Sequence, residues 1–123
     1  MYDSTISPVG WYVGTYQLRL LNPENDNENL ESRFRTWENT VLVKAKDLDE
    51  AYKKLERIGK RSSRTYKGGP DGVIVQWQYE GIVELLPVYE ELEDGNEIMW
   101  RDRTPRKLKT IRSSTISIEE ARK

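Results

Sequence analysis

The chain has 123 residues, 36% of them hydrophobic and 33% charged, which is one domain's worth of residues around a small core. Its formal net charge is −1, so no whole-protein field selects nucleic acid or an anionic membrane. It has no Cys and no His, which excludes disulfides, thiolate nucleophiles, Cys/His zinc sites and every Ser-His or Cys-His triad.

Chemistry is thus left to carboxylates, Lys, Tyr, Ser/Thr and backbone. Seven Tyr and four Trp stand against one Phe. That bias suits a half-buried sheet, where a ring packs and its polar tip reaches water. The absence of Cys fits a cytoplasmic protein. Residues 1–10 lack the basic start and apolar run of a signal peptide, and no apolar stretch approaches the roughly 20 residues of a membrane span.

Residues 1–9 read as a loose leader. "GWYVGTYQLRLL" then places Tyr12, Tyr16, Leu18 and Leu20 on one parity and Thr15, Gln17 and Arg19 on the other. This predicts a strand with one dry face, in which Gly14 marks a bulge or a close backbone approach. Residues 22–32 read as an exposed loop. Glu24, Asp26 and Glu28 alternate there but lack the glycine and terminal Glu of a calcium loop, so no metal is expected. "RTWENTVLVKAKD" predicts a second strand with Trp37, Val41, Val43 and Ala45 on one face. Leu42 interrupts the alternation. The two strands form a hairpin with a long loop.

Asp47 offers an N-cap with Glu50 three residues on. Leu48, Ala51, Tyr52, Leu55 and Ile58 come after it at helical spacing. The spacing predicts a helix over 48–58 that ends at Gly59 and lays one apolar stripe on a sheet. Residues 60–72 read as a connector, and "KGGPDG" as turn chemistry rather than a phosphate loop.

From Val73 to Tyr89 the odd positions are mostly apolar or aromatic. A straight strand of that length would exceed a domain of this size, so Gly81 is the expected corner. Pro87 should face an edge or a bulge. Asp94-Gly95 predicts a two-residue hairpin turn. The register this implies sets Tyr89 opposite Trp100 as an aromatic lock. Glu80 and Glu84 share the polar parity. A carboxylate pair can catalyse glycosidic cleavage when about 5 Å apart in a cleft, which makes a carboxylate-based enzyme the third and weakest reading. Alternate Glu on a one-sided sheet accounts for them without catalysis.

After Trp100 the chain turns basic. Residues 101–112 hold four Arg and two Lys against one Asp. Arg101, Arg103, Arg106, Lys107, Lys109 and Arg112 are candidate contacts to phosphates or to an acidic partner. Ser117 can cap a short helix over the last residues, with Glu119 and Glu120 in its first turn.

Trp11-Tyr12, "VLVKAKDLDEAYKKL" and "WQYEGIVELLPVYEELEDGNEIMWR" together resemble the domain of unknown function 4288 family of small bacterial and archaeal proteins. The resemblance covers about residues 10–101 and leaves out the basic tail. It implies a small stand-alone α+β protein and brings no activity, substrate or catalytic residue.

The residues therefore predict an α+β fold. A curled antiparallel sheet of four or five strands packs on one main helix, with a leader over 1–9, a domain over 10–101 and a basic, partly flexible segment over 102–123. The expected core is Tyr12, Tyr16, Leu18, Val41, Val43, Ala51, Leu55, Val75, Trp77, Val83 and Leu85. No catalytic residue, cofactor or metal is expected. The leading function is a non-enzymatic protein-interaction or accessory module, with a homodimer built on an exposed sheet edge or aromatic face as one form. The rings exceed what a small core needs, so Trp11, Trp37, Tyr89 and Trp100 are candidate contacts for a protein partner. The alternative is nucleic-acid binding through 101–112.

Overall fold

The computed structural model describes residues 3–22, 26–68 and 73–123, with the backbone alone over 64–68 and 73–75. Strand β1 spans Trp11–Leu21, β2 Thr36–Lys44, helix α1 Leu48–Arg61, β3 Arg64–Gly68 and β4 Val73–Pro87. Two short helices complete the chain, α2 over Leu108–Ser113 and α3 over Ile118–Ala121. Among the described residues the strands form an open antiparallel sheet in the order β2-β1-β4-β3. The α+β class and the β1–β2 hairpin are as the pattern predicts.

Local chemistry starts α1 where expected. The Asp47 carboxylate accepts from Glu50 N at 2.8 Å. Glu50 reaches back to Lys46 N at 3.4 Å. Asp49 and Glu50 in the first turn and Lys60 and Arg61 in the last complement the helix dipole. The helix does not stop at Gly59. It continues to Arg61, with Ser62 as C-cap. The glycine serves packing instead: a Cβ there would lie 2.4 Å from Tyr79 Cε1 and 3.3 Å from Tyr16 Cγ. The connector expected over 60–72 also gives way. Arg64–Gly68 is β3, paired with Val73–Trp77 of β4. Residues 69–72, and with them most of the proposed turn, lie outside the described residues, as do Glu24 and the side chain of Val75.

The Tyr79 ring packed over Gly59 has its phenol raised above the ordinary value of 10.0 by burial, with Glu56 and then Tyr52 adding to it. An unfolded chain therefore releases this proton first. Stability held below about pH 10 is lost as pH rises through the folded value. Tyr79→Phe should make unfolding free energy less sensitive to pH above 10, measured by denaturant titrations at several alkaline pH values. Equal slopes for the two proteins would refute it.

Two buried clusters form between α1 and the sheet. One holds Tyr12, Val43, Ala45 and Ala51. The other holds Tyr16, Leu18, Leu55 and Trp77. Gly14 marks the close approach the sequence suggests, because a Cβ there would sit 2.4 Å from Leu55 Cδ2.

The two-residue alternation of β4 fails in the middle. Leu18 pairs with Tyr79 and Gln17 with Gly81, which leaves Glu80 as an extra residue. Tyr16 then pairs with Ile82 and Thr15 with Glu84, which leaves Val83 as another. Each bulge inverts the facing of the residues beyond it. Between the bulges Ile82 turns to the helix side and packs on the core. Val83, expected inward, is 48% exposed. After the second bulge Leu85 faces the helix again. Gly81 sits between the bulges with φ +132°, so the expected corner is there, built from two bulges rather than one bend.

The far side of the sheet is not uniformly wet. Val13 and Thr15, of the supposed polar parity, are buried. Thr15 and Thr40 share a 2.7 Å hydroxyl–hydroxyl hydrogen bond. The leader is not loose over its described part: Ser7 is buried, its N–H donates to the Tyr12 hydroxyl at 3.0 Å and its hydroxyl to Val88 O.

The Asp94-Gly95 turn forms, with Gly95 at φ +85° and Asn96 N donating to Glu93 O at 3.0 Å. The ladder expected beside it does not. Side chains replace it: Asn96 Nδ2 donates to Glu91 O at 3.0 Å, and Glu97 N to Glu90 Oε2 at 2.6 Å. Tyr89 accordingly has no ladder partner in Trp100, and its hydroxyl donates to Ser4 O instead. Residues 101–123 are exposed throughout. Ser117 caps α3 as its sequence suggests, accepting from Glu120 N at 3.2 Å. Helix α2 is an addition to the expected elements.

Candidate interaction surface

Strand β2 closes one side of the sheet, and among the described residues no strand pairs with its outer edge. Backbone hydrogen bonds fix which groups face outward. Arg35 O accepts from Leu20 N at 2.9 Å, and Ala45 N donates to Gly10 O at 3.0 Å. The register runs unbroken from Thr36 to Lys44. Odd-numbered residues of β2 therefore bond to β1, and by the alternation of an antiparallel ladder the N–H and C=O groups of Glu38, Thr40 and Leu42 point away from the sheet. Lys44 O, of the same parity, accepts from Lys54 Nζ at 2.9 Å. Nine residues is long for an uncovered edge.

Two large apolar side chains stand exposed along this edge among Thr36, Glu38, Thr40 and Lys44. Trp37 is 47% exposed and Leu42 44%. Leu42, the residue that interrupts the alternation, thus lies on the far face, beside Val13 in the register. Trp37 leans on Trp77 with ring centroids 4.5 Å apart and planes at 31°. Beside them opens a cavity of about 750 Å³ lined by Tyr16, Leu18, Trp37, Asn39, Arg61, Ser62 and Trp77. The Tyr16 and Ser62 hydroxyls are hydrogen-bonded at 3.0 Å, which turns one polar wall of the cavity toward the end of α1.

The other predicted contacts are dispersed. Trp11 lies on the far face under the Lys44 ammonium, 5.7 Å from the ring centroid. Trp100 lines a second cleft, of about 590 Å³, with Thr15, Glu38, Val83, Glu84, Leu86, Arg101, Asp102 and Arg103. There Arg101 Nε stands 3.8 Å from Glu84 Oε2, and Glu84 Oε1 is buried without a hydrogen bond among the described residues. Arg106 precedes α2, Lys107 is its N-cap, and Lys109 and Arg112 lie within it. All four are exposed.

Glu80 and Glu84 do not converge. The Glu80 carboxylate receives Arg19 Nε and Nη2 at 2.9 Å each and belongs to a separate cleft with Phe34 and Asn27. Arg19 also stacks over the Phe34 ring at 4.6 Å, a role nothing in the alternation announces. Among the described residues no group of three or more acidic side chains is placed to hold a metal ion. No helix among them is long and apolar enough to cross a membrane.

These features define an α+β domain with an open antiparallel sheet, helix α1 packed on it and, at β2, a long strand edge without a partner strand among the described residues. The chain belongs to the family described as Domain of unknown function (DUF4288), which it matches over residues 11–100. The match ends where the basic segment begins. Neither a curated protein nor a solved structure matches the chain.

Proposed function

We propose that the chain is a non-enzymatic protein-interaction module that receives an extended segment of a protein partner on the outer edge of β2. The observation that carries this reading is the edge itself: a nine-residue strand with outward backbone groups and with Trp37 and Leu42 exposed beside them. A partner strand gains main-chain hydrogen bonds from such an edge, and side-chain pockets on its flanks supply selectivity. The Trp37–Trp77 ledge and the cavity next to it are suited to receive a side chain from that strand.

Leu42→Pro tests it. The Leu42 N–H points outward, so proline there removes an edge donor and leaves the bonds to β1 in place. The variant should lose the complexes that the wild-type protein forms, read by size-exclusion chromatography and by retention of partners from the native cell, while its melting curve stays cooperative. Undiminished complexes in a folded Leu42→Pro protein would defeat the edge reading.

A second reading rests on the tail, where Arg106, Lys107, Lys109 and Arg112 are exposed and have no ion pair among the described residues. They could hold a nucleic-acid backbone through contacts that weaken with salt. Affinity for single-stranded nucleic acid that is the same with and without residues 101–123 would end this reading.

A further inference from the structure

We infer that the strand received by β2 is β2 of a second copy, paired antiparallel about a two-fold axis through Val41. The inference rests on the edge reading above and specifies its occupant. A two-fold pairing must be self-complementary, and β2 carries one anion and one cation among its nine residues, Glu38 and Lys44. With the axis at Val41, Glu38 of each copy lies opposite Lys44 of the other, and Thr40 opposite Leu42. Moving the axis by one residue, to Thr40, sets Glu38 against Leu42 and Thr36 against Lys44, so neither charge is matched. Cross-strand opposite charges stabilise a pairing and mismatches do not. Neither Glu38 nor Lys44 has an ion pair within the chain among the described residues; the Lys44 ammonium rests over the Trp11 ring, and pairing with Glu38 of a second copy would draw it from that contact.

The hydrogen-bond phase agrees. The outward peptide groups belong to the even residues, so Thr40 with Leu42, and Glu38 with Lys44, are the pairs that exchange backbone bonds across the new ladder, with Lys44 O shared with, or released by, Lys54 Nζ, which it accepts from at 2.9 Å in the single chain. Val41 then meets its own copy in the closer, non-hydrogen-bonded position. Helix α1 packs chiefly on β1 and β4 and less on β2. Such pairing would join the two sheets edge to edge and cover Trp37 and Leu42 on both copies.

Two experiments with the full chain decide the matter. Light scattering over a concentration series should show a dimer for the wild-type protein. Glu38→Lys and Lys44→Glu should each weaken it on the order of tenfold, since each places like charges at two symmetric positions. An equimolar mixture of the two variants, or the double variant, should restore it. The chain has no Cys, so Val41→Cys introduces a lone thiol whose neighbour across the axis is its own copy, at a spacing a disulfide can bridge. Mild oxidation should cross-link Val41→Cys, whereas Trp37→Cys, whose counterpart would be Ala45, should stay uncross-linked. A wild-type protein that is monomeric at every concentration overturns self-pairing, and the edge reading then stands or falls on Leu42→Pro alone. A dimer insensitive to both charge reversals, with no cross-link at Val41, overturns the register.

Discussion

Replacing Trp77 with alanine is expected to cost about 3–5 kcal/mol of folding stability, the range for deleting a large buried ring. Trp77 is 6% exposed and sits in the cluster of Tyr16, Leu18 and Leu55, with Leu20, Tyr79 and Ile82 around it. Helix α1 closes over that cluster. Alanine would leave a cavity that the backbone of β4, held by β1 on one side and β3 on the other, cannot collapse to fill. The neighbouring Trp37 provides the control. It touches Trp77 at 4.5 Å but is 47% exposed, so Trp37→Ala should cost less than Trp77→Ala, forfeiting the burial of about half a ring together with a ring–ring contact of about 0.5–1.5 kcal/mol. Chemical denaturation of both variants measures the difference. If Trp77→Ala lost less than about 1 kcal/mol, its ring would belong to the surface and the aromatic ledge would have to be redrawn.

That asymmetry between two tryptophans of one ledge is only partly legible in the sequence. Parity assigns both rings to the helix side, correctly. It does not say which strand is central, because strand order is set by long-range pairing and not by the residues of the strand. Trp77 is covered because β4 lies between β1 and β3. Trp37 is half-open because, among the described residues, β2 has a neighbouring strand on one side only. The same limit explains β4. Its alternation reads as one unbroken dry face, yet Glu80 and Val83 are each looped out against β1, and no local signal besides Gly81 marks where two bulges will fall. Helix α1 is legible at its start because a cap and an apolar stripe are local physics. Its end is not, because Gly59 answers to Tyr79, 20 positions along the chain. The Asp94-Gly95 turn is legible for the same local reason as the cap. Its flanks are not, since Glu90 and Asn96 bond the backbone that a ladder would have used. The candidate edge divides in the same way. Leu42 stands out as the residue that breaks the alternation, whereas the freedom of its outward N–H emerges only once β1 is seen on the other side.

Leu55 and Gly14 should behave as one packing unit. Leu55 is fully buried, and its Cδ2 occupies the space where a side chain on Gly14 would begin, 2.4 Å from the ideal Cβ position. Leu55→Ala alone should cost about 2–5 kcal/mol. Gly14→Ala alone should cost about 1–3 kcal/mol, because the added methyl must push a buried leucine off its rotamer against Tyr16 and Trp77. The two changes are not independent, since shortening residue 55 removes the atoms the new methyl would strike. The double variant should therefore be more stable than the sum of the two losses predicts, with a coupling of about 0.5–3 kcal/mol on the usual scale for residues in contact, near the size of the overpacking itself. Denaturant unfolding of the wild type, both single variants and the double variant closes the cycle. Strict additivity would mean that β1 shifts away from α1 to admit the methyl. Helix and sheet would then be held together less tightly than this contact implies, and the position of α1 that leaves the β2 edge open would no longer be fixed by it.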